Sequence, residues 1–299
     1  MILKKLNDLK SLATRGQRKR LVLAAAQDPF SLNAVMHAHS EGIVDPILIG
    51  VRSEIEALAR EFGHTLDGIA VIEEPDTEKA VELSVKMVSG READVLMKGK
   101  VGTSTLLKGV LNKEWGLRTG NLLSHFALFE VKTYHKLIAV ADVAMNIAPS
   151  LQEKIAIVDN SVACLNRLGL AMPKVAVLGA VEMVNENMEA TLHAALLSKM
   201  NQRDQIRNCI IDGPLAFDNA ISYESAKHKG IMSDVAGDTD LLIMPDIEVG
   251  NVLYKSLVFF ANAKVAGVIL GASAPIVLTS RSDSEEAKYY SIILAAAAS

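Results

Sequence analysis

Apolar residues in the first hundred positions form short runs that alternate with segments of helical periodicity. Runs at 21–26, 46–50, 69–72 and 94–97 predict strands, and segments at 29–42, 53–62 and 77–88 predict helices. Asp28 and Pro29 are residue types typical of an N-cap and a first helical position. Strands that are nearly continuous in apolar residues and alternate with helices indicate a mainly parallel sheet covered on both faces.

The pattern changes between positions 122 and 143. Two strand-like runs, 122–131 and 136–143, flank a short polar segment and predict a hairpin. A helix at 150–168 and a second β-α alternation follow, with strands at 175–178, 209–211, 241–244 and 265–270 and helices at 188–200, 217–227 and 252–263. We place a domain boundary near the hairpin, with a first α/β domain of 1–138 plus 278–299 and a second of 139–277.

The C-terminal segment combines a short apolar run at 275–278 with a final helix. Ser282 and Glu285 have the spacing of a capping box, so Ser280 and Arg281 are predicted to lie just before a helix N-terminus. Such a terminus offers unpaired N–H groups and a partial positive charge, and an adjacent Arg can grip a phosphate bidentately. The alternative is an ordinary capped loop.

A second candidate site follows the strand at 94–97, where Lys98, Lys100, Thr103 and Ser104 share a glycine-rich loop. The carboxyl end of a parallel strand is where α/β proteins bind ligands. The glycine and lysine spacing fits neither a Walker A loop nor the dinucleotide-binding fingerprint. An anion site and a plain loop therefore both remain open.

Composition narrows the class of protein. The 299 residues are half apolar and carry a net charge of −4, which predicts one or two globular domains and argues against nucleic-acid binding. The chain shows neither an apolar run of membrane-spanning length nor a secretory signal, so we expect a cytoplasmic protein without a membrane partner. Cys164 and Cys209 are predicted to be buried thiols. No histidine or cysteine has metal-ligand spacing, and we assign loop and capping roles to the acidic group, which consists of Asp234, Asp238, Asp240 and Asp246.

Three segments, 212–218 (DGPLAFD), 235–257 (VAGDTDLLIMPDIEVGNVLYKSL) and 274–281 (APIVLTSR), resemble the phosphate acetyltransferase and phosphate butyryltransferase family. The runs 93–111 and 117–130 and the segment 142–146 are similar to its butyryltransferase branch. The resemblance implies a two-domain fold like that of isocitrate and isopropylmalate dehydrogenases, with the active site in the interdomain cleft. It also implies a homo-oligomer without a nicotinamide or metal cofactor, for which coenzyme A is a substrate.

The resemblance also implies roles for individual residues. Ser280 and Arg281 fall on the family's Ser-Arg pair, which contacts the reacting phosphate and carbonyl, and Thr103 and Ser104 fall on its phosphate-loop hydroxyls. The catalytic Asp of the acetyl branch falls on Ala287 here, so we choose Asp283 as the base. The expected substrate-binding residues are Lys98, Lys100, Thr103, Ser104, Ser124 and Asn146, and no residue is assigned to a metal.

The expected function is exchange of a short acyl group, butyryl by the branch resemblance, between coenzyme A and inorganic phosphate. Its partners would be acyl-CoA, phosphate and acyl phosphate. The chain shows no nucleophile elbow, which agrees with direct attack of phosphate on the thioester. The alternatives are an acyltransferase that uses acyl carrier protein thioesters, a non-catalytic CoA- or phosphate-binding protein, and a metal-dependent hydroxyacid dehydrogenase.

Overall fold

The computed structural model describes residues 3–280 and 283–299. The chain forms two compact units, a first unit of residues 7–121 and 266–299 and a second unit of residues 1–6 and 122–265. The divisions fall at 121/122 and 265/266, whereas the domain boundaries expected from the sequence lie at 138/139 and 277/278. Both strands of the hairpin belong to the second unit, which moves the division to the segment before it.

The elements of the chain follow a short 3₁₀ turn at Leu6–Leu9. Up to the hairpin they are α1 (Lys10–Ala13), β1 (Lys19–Ala24), α2 (Pro29–Ser40), β2 (Val44–Gly50), α3 (Arg52–Glu61), β3 (Ala70–Glu73), α4 (Thr77–Ser89), β4 (Val95–Lys98), α5 (Thr103–Val110), β5 (Ser124–Glu130) and β6 (Ile138–Ala141). After the hairpin they are α6 (Leu151–Arg167), β7 (Lys174–Leu178), α7 (Glu189–Gln202), β8 (Ile210–Leu215), α8 (Phe217–Ile221), α9 (Tyr223–His228), β9 (Leu241–Ile243), α10 (Ile247–Phe259), β10 (Lys264–Leu270), β11 (Ile276–Val277) and α11 (Glu285–Ala298).

In the first unit the strand order is β3-β2-β1-β4-β11-β10, and every neighbouring pair is parallel except β11 with β10. The last four residues of β1 are all buried, as an apolar strand inside a parallel sheet requires. Helix α2 begins where predicted, because the Asp28 side chain accepts a hydrogen bond from the Ser31 N–H and Pro29 is the first helical residue. Helix α11 packs against α2.

In the second unit the strand order is β5-β6-β9-β7-β8. The predicted hairpin is confirmed, because β5 and β6 are antiparallel, and the remaining neighbours are parallel. Both cysteines are buried thiols, as predicted. No helix within residues 3–280 and 283–299 has the length and apolarity needed to cross a membrane.

Three helix predictions need correction. The helix expected at 217–227 is two short helices, because Ser222 takes an extended conformation and caps the second one. Helix α10 begins at Ile247 rather than 252, because Asp246 accepts a hydrogen bond from the Val249 N–H. This bond confirms the capping role expected for Asp246.

The third correction concerns the final helix. Ser284 is the N-cap of α11, and its hydroxyl accepts a hydrogen bond from the Ala287 N–H. Glu285 is therefore the first helical residue, which rules out the predicted capping box. Ser282 and Arg281 lie outside the described residues.

Candidate functional site

The register of two neighbouring strands brings distant parts of the chain together in the first unit. Strands β4 and β11 are parallel, with Leu96 opposite Ile276 and Met97 opposite Val277. The segments that follow them, 99–104 and 278–280, therefore leave the sheet at the same edge. This is the carboxyl edge, at which α/β folds bind ligands.

The loop after β4 is held tightly against the end of β1. Lys98 is buried, and its ammonium donates to the carbonyl oxygens of Gly99 at 3.3 Å and Val101 at 3.2 Å. A Cβ on Gly99 would lie 2.2 Å from the carbonyl oxygen of Ala25, so only glycine allows this close approach. The loop therefore has one fixed path and carries a cation inside it.

Thr103 and Ser104 are the first two residues of α5 and are both exposed. Neither hydroxyl makes a hydrogen bond to another residue that the structure describes. The N-cap is Gly102 and no side chain caps the helix, so its first N–H groups are left for solvent or a ligand. Two hydroxyls and a helix N-terminus at the sheet edge form an arrangement that can receive an anion.

Ser280 and Asp283, which we call the Ser280 turn, are joined by two hydrogen bonds. The Ser280 N–H donates to Asp283 Oδ2 at 2.7 Å, and the Asp283 N–H donates to the Ser280 carbonyl at 3.2 Å. Ser280 is exposed, which leaves its side chain accessible. Arg281, the predicted cation of this site, lies outside the described residues.

Sequence reasoning missed a buried lysine beneath this turn. Lys288 in α11 is 4% exposed, and its Nζ donates to Thr279 Oγ1 at 2.9 Å and to the Ser280 carbonyl at 3.2 Å. Burial lowers the pKa of this lysine, whereas the carboxylates of Asp28 and Asp283 act in the opposite direction. A sequence signal existed, because α11 is apolar on nearly all sides and a cation within such a helix must be buried.

The remaining predicted residues are placed differently. Lys100 is exposed, and its Nζ lies 3.5 Å from Glu54 Oε2, a surface ion pair. Ser124 is fully buried, and its hydroxyl accepts a hydrogen bond from Asn160 Nδ2 at 3.0 Å. Asn146 Nδ2 donates to the Leu123 carbonyl at 2.9 Å. Six of the predicted residues thus belong to the first unit, namely Lys98, Lys100, Thr103, Ser104, Ser280 and Asp283, whereas Ser124 and Asn146 belong to the second unit.

The second unit contains another buried lysine that the sequence did not single out. Lys154 in α6 is 3% exposed, and its Nζ lies 3.0 Å from His193 Nδ1. Burial lowers the pKa of both side chains. Within residues 3–280 and 283–299, no group of three or more His, Cys, Asp or Glu side chains could hold a metal ion.

Comparison with known proteins identifies the family. The family model described as phosphate acetyl/butaryl transferase matches residues 4–85 and 76–296. The chain belongs to this family. It is 46% identical to the phosphate butyryltransferase of Clostridium acetobutylicum, across 99% of this chain and 98% of the relative. It is also 46% identical to the phosphate acetyltransferase of Thermotoga maritima, across 99% of both chains.

Solved structures agree with this membership of the phosphate acetyl/butaryl transferase family. The fold is similar to that of a branched-chain phosphotransacylase from Enterococcus faecalis, with a TM-score of 0.83 and 34% identity over 94% of this chain and 98% of that one. A 4-hydroxythreonine-4-phosphate dehydrogenase from Burkholderia phymatum shares the fold alone, with a TM-score of 0.58 and 12% identity over 95% of this chain and 99% of that one. The α/β fold class and the family resemblance predicted from the sequence are both confirmed.

Proposed function

We propose that this protein is a phosphate acyltransferase that exchanges a short acyl group between coenzyme A and inorganic phosphate, forming acyl phosphate. The observation that carries the proposal, in a chain of this family, is the carboxyl edge of the first-unit sheet, where the parallel strands β4 and β11 end. Helix α5 begins after β4 without a side-chain cap, its Thr103 and Ser104 hydroxyls have no hydrogen-bond partner among the described residues, and Ser280 follows β11. Hydrogen phosphate carries about two negative charges at neutral pH, so it needs N–H groups, hydroxyls and cations to hold it.

The reaction requires little covalent chemistry from the protein. A phosphate oxygen attacks the thioester carbonyl, the tetrahedral intermediate collapses with loss of the C–S bond, and the phosphate proton ends on the CoA sulfur. Ser280 would donate to the developing oxyanion, and a donor of this kind is worth about a hundred- to a thousandfold in rate. Arg281 would hold phosphate by analogy with the family, and Asp283 would carry the proton between phosphate oxygen and sulfur.

Thr103 and Ser104 provide the sharpest test of the phosphate site. Because both side chains are exposed and form no hydrogen bond with another described residue, Thr103→Val with Ser104→Ala should leave the melting temperature unchanged and raise the phosphate KM. Lys108→Gln, which removes an exposed cation from the last turn of α5, is the matched control. An unchanged phosphate KM in the double variant would remove this helix end from the proposed site.

We propose butyryl, or a branched group of about four carbons, as the preferred acyl chain. Overall identity does not discriminate between the two acyl groups, because the chain is 46% identical both to a phosphate butyryltransferase and to a phosphate acetyltransferase. The support comes instead from the runs 93–111 and 117–130, which are similar to the butyryltransferase branch. The test follows phosphate-dependent CoA release from acetyl-, propionyl-, butyryl- and octanoyl-CoA with a thiol reagent. Preference for acetyl-CoA contradicts the chain-length proposal. If the protein turns over only acyl carrier protein thioesters, the carrier protein and not coenzyme A is its thiol substrate. If it turns over no thioester, the proposed reaction is refuted.

The location of the site in an isocitrate dehydrogenase-like cleft stays a prediction from the resemblance.

We propose that the protein forms a homo-oligomer through helix α10. Gly250 is the single residue of α10 that is buried, although the helix sequence is mostly apolar. Val252, Phe259 and the following Phe260 are 64%, 68% and 92% exposed, an apolar surface of the kind that a second copy covers. Light scattering should show an oligomer that Val252→Asp weakens and Leu196→Asp, at an exposed site in α7, does not. A monomeric wild-type protein would refute this assembly.

A further inference from the structure

The buried ammonium of Lys288 lies beneath the segment that carries Ser280. Two of its three N–H donors are used, one on the Thr279 hydroxyl and one on the Ser280 carbonyl. Among the described residues no carboxylate forms an ion pair with it, and Asp28 and Asp283 act on it only from a greater distance. Burial of a charge without a paired carboxylate is costly, so a purely structural purpose would be served better by an apolar side chain.

The Ser280 carbonyl is the point at which several constraints meet. It accepts the Asp283 N–H at 3.2 Å as well as the Lys288 ammonium at 3.2 Å. The Ser280 N–H is held at the same time by Asp283 Oδ2. Both polar groups of the Ser280 backbone are thus fixed, and the Lys288 ammonium reaches this backbone from within helix α11.

We propose that Lys288 is a positioning residue for acyl transfer, which holds the Thr279–Ser280 backbone so that the Ser280 hydroxyl is aimed at the reacting carbonyl. The inference rests on the proposed acyl exchange. A misplacement of about 1 Å at a reacting group costs about a hundredfold in rate, so loss of the contact should lower kcat rather than weaken substrate binding.

The test compares Lys288→Met with the wild-type protein in phosphate-dependent CoA release. We expect kcat to fall about a hundredfold, with the KM values for acyl-CoA and phosphate changed less than about threefold. Ser291→Ala is the matched control, because Ser291 is a buried residue of the same helix, α11, whose hydroxyl accepts a hydrogen bond from the Gly267 N–H in β10. Among the described residues it forms no hydrogen bond with Ser280 or Asp283. This variant should lose stability and keep its kcat.

Three further variants, Thr279→Val, Lys288→Gln and Lys288→Arg, keep the proposal testable whatever the stability of Lys288→Met. Thr279→Val removes one of the two acceptors of the Lys288 ammonium. Because Thr279 and Lys288 share this hydrogen bond, the effects of Thr279→Val and Lys288→Gln on kcat should be non-additive. Lys288→Arg keeps a charged donor, and its kcat should exceed that of Lys288→Gln. The proposal is overturned if Lys288→Gln or Lys288→Met retains wild-type kcat, or if the Thr279 and Lys288 effects are simply additive. A wild-type protein that turns over no acyl thioester refutes the proposed function itself and is recognised before any variant is made.

Discussion

Replacement of Asp283 by Asn separates a catalytic carboxylate from one that only shapes a turn. Asp283 Oδ2 accepts the Ser280 N–H at 2.7 Å, a short charge-assisted bond at a half-exposed position. Asparagine keeps an acceptor of the same shape, so the turn should persist at a cost of about 1 kcal/mol, the difference between a charged and a neutral hydrogen bond. General-base help, in contrast, is worth about a hundred- to ten-thousandfold in rate.

The assay follows acyl-CoA formation from acyl phosphate and CoA, in which the thiol must lose its proton. A thiol with a pKa near 8.5 is mostly protonated at neutral pH, so the base matters most there. We expect Asp283→Asn to be at least about a hundredfold slower near pH 7, with a deficit that shrinks as the pH rises past the thiol pKa.

Glu285→Gln is the matched control, because it removes a charge from the first turn of α11, and among the described residues no hydrogen bond or ion pair joins its side chain to Ser280 or Asp283. Its rate should stay close to that of the wild-type protein. If Asp283→Asn keeps a normal rate at every pH and only its melting temperature falls, Asp283 is a structural residue, and another group or solvent deprotonates the thiol.

Three other outcomes follow from the packing and charge of the first unit and from the cysteines. Gly99→Ala should abolish activity, because its Cβ would lie 2.2 Å from a backbone oxygen, whereas Gly102→Ala, whose nearest contact would be 3.7 Å, should not; equal activities would contradict the fixed loop path. Lys288→Met should keep or raise the melting temperature near pH 7, because the lowered pKa means that burial of the charged form opposes folding. Between that pKa and 10.5 the unfolded chain binds more protons, so the wild-type free energy of unfolding should rise with pH relative to the variant, and calorimetry across this window checks the sign. Burial raises the pKa of Cys164 and Cys209 to about 12, so the native protein should not react with a thiol reagent at neutral pH, and a background signal in the CoA assay would contradict this.

Local sequence signals predicted the elements that depend on local chemistry. The apolar run of β1 and the Asp28 cap of α2 are set within a few residues, and the structure confirms both. The predicted start of α10 was too late because Gly250 interrupts the helical pattern of the sequence. The glycine is required by a close approach of two backbone segments, since a Cβ at this position would lie 2.3 Å from the Asp142 carbonyl oxygen. This contact joins positions far apart in the chain and leaves no local signal.

The candidate site shows the same division between local and distant information. Ser280 and the loop from Lys98 were recognisable from residue types and family resemblance, because the glycines and hydroxyls are adjacent in sequence. The cap of α11 was misassigned because several serines precede the helix, and only the backbone path selects Ser284. The Lys154–His193 pair joins helices α6 and α7. The hydrophobic periodicity of a single sequence does not show which helices pack together, so this pair could not be predicted.

The position of β11 in the sheet also bears on how the chain is made. Strand β4 is complete early in synthesis, but its neighbour β11 is translated after every other strand of the chain. Until then one side of β4 is an open edge with unpaired N–H and C=O groups, which is a template for association with other chains. Ser280 and Lys288 follow β11 in the chain and are therefore also translated late. Chains interrupted before residue 276 should therefore be inactive and prone to aggregate, and ribosome-bound chains of this length should depend on chaperones that shield strand edges.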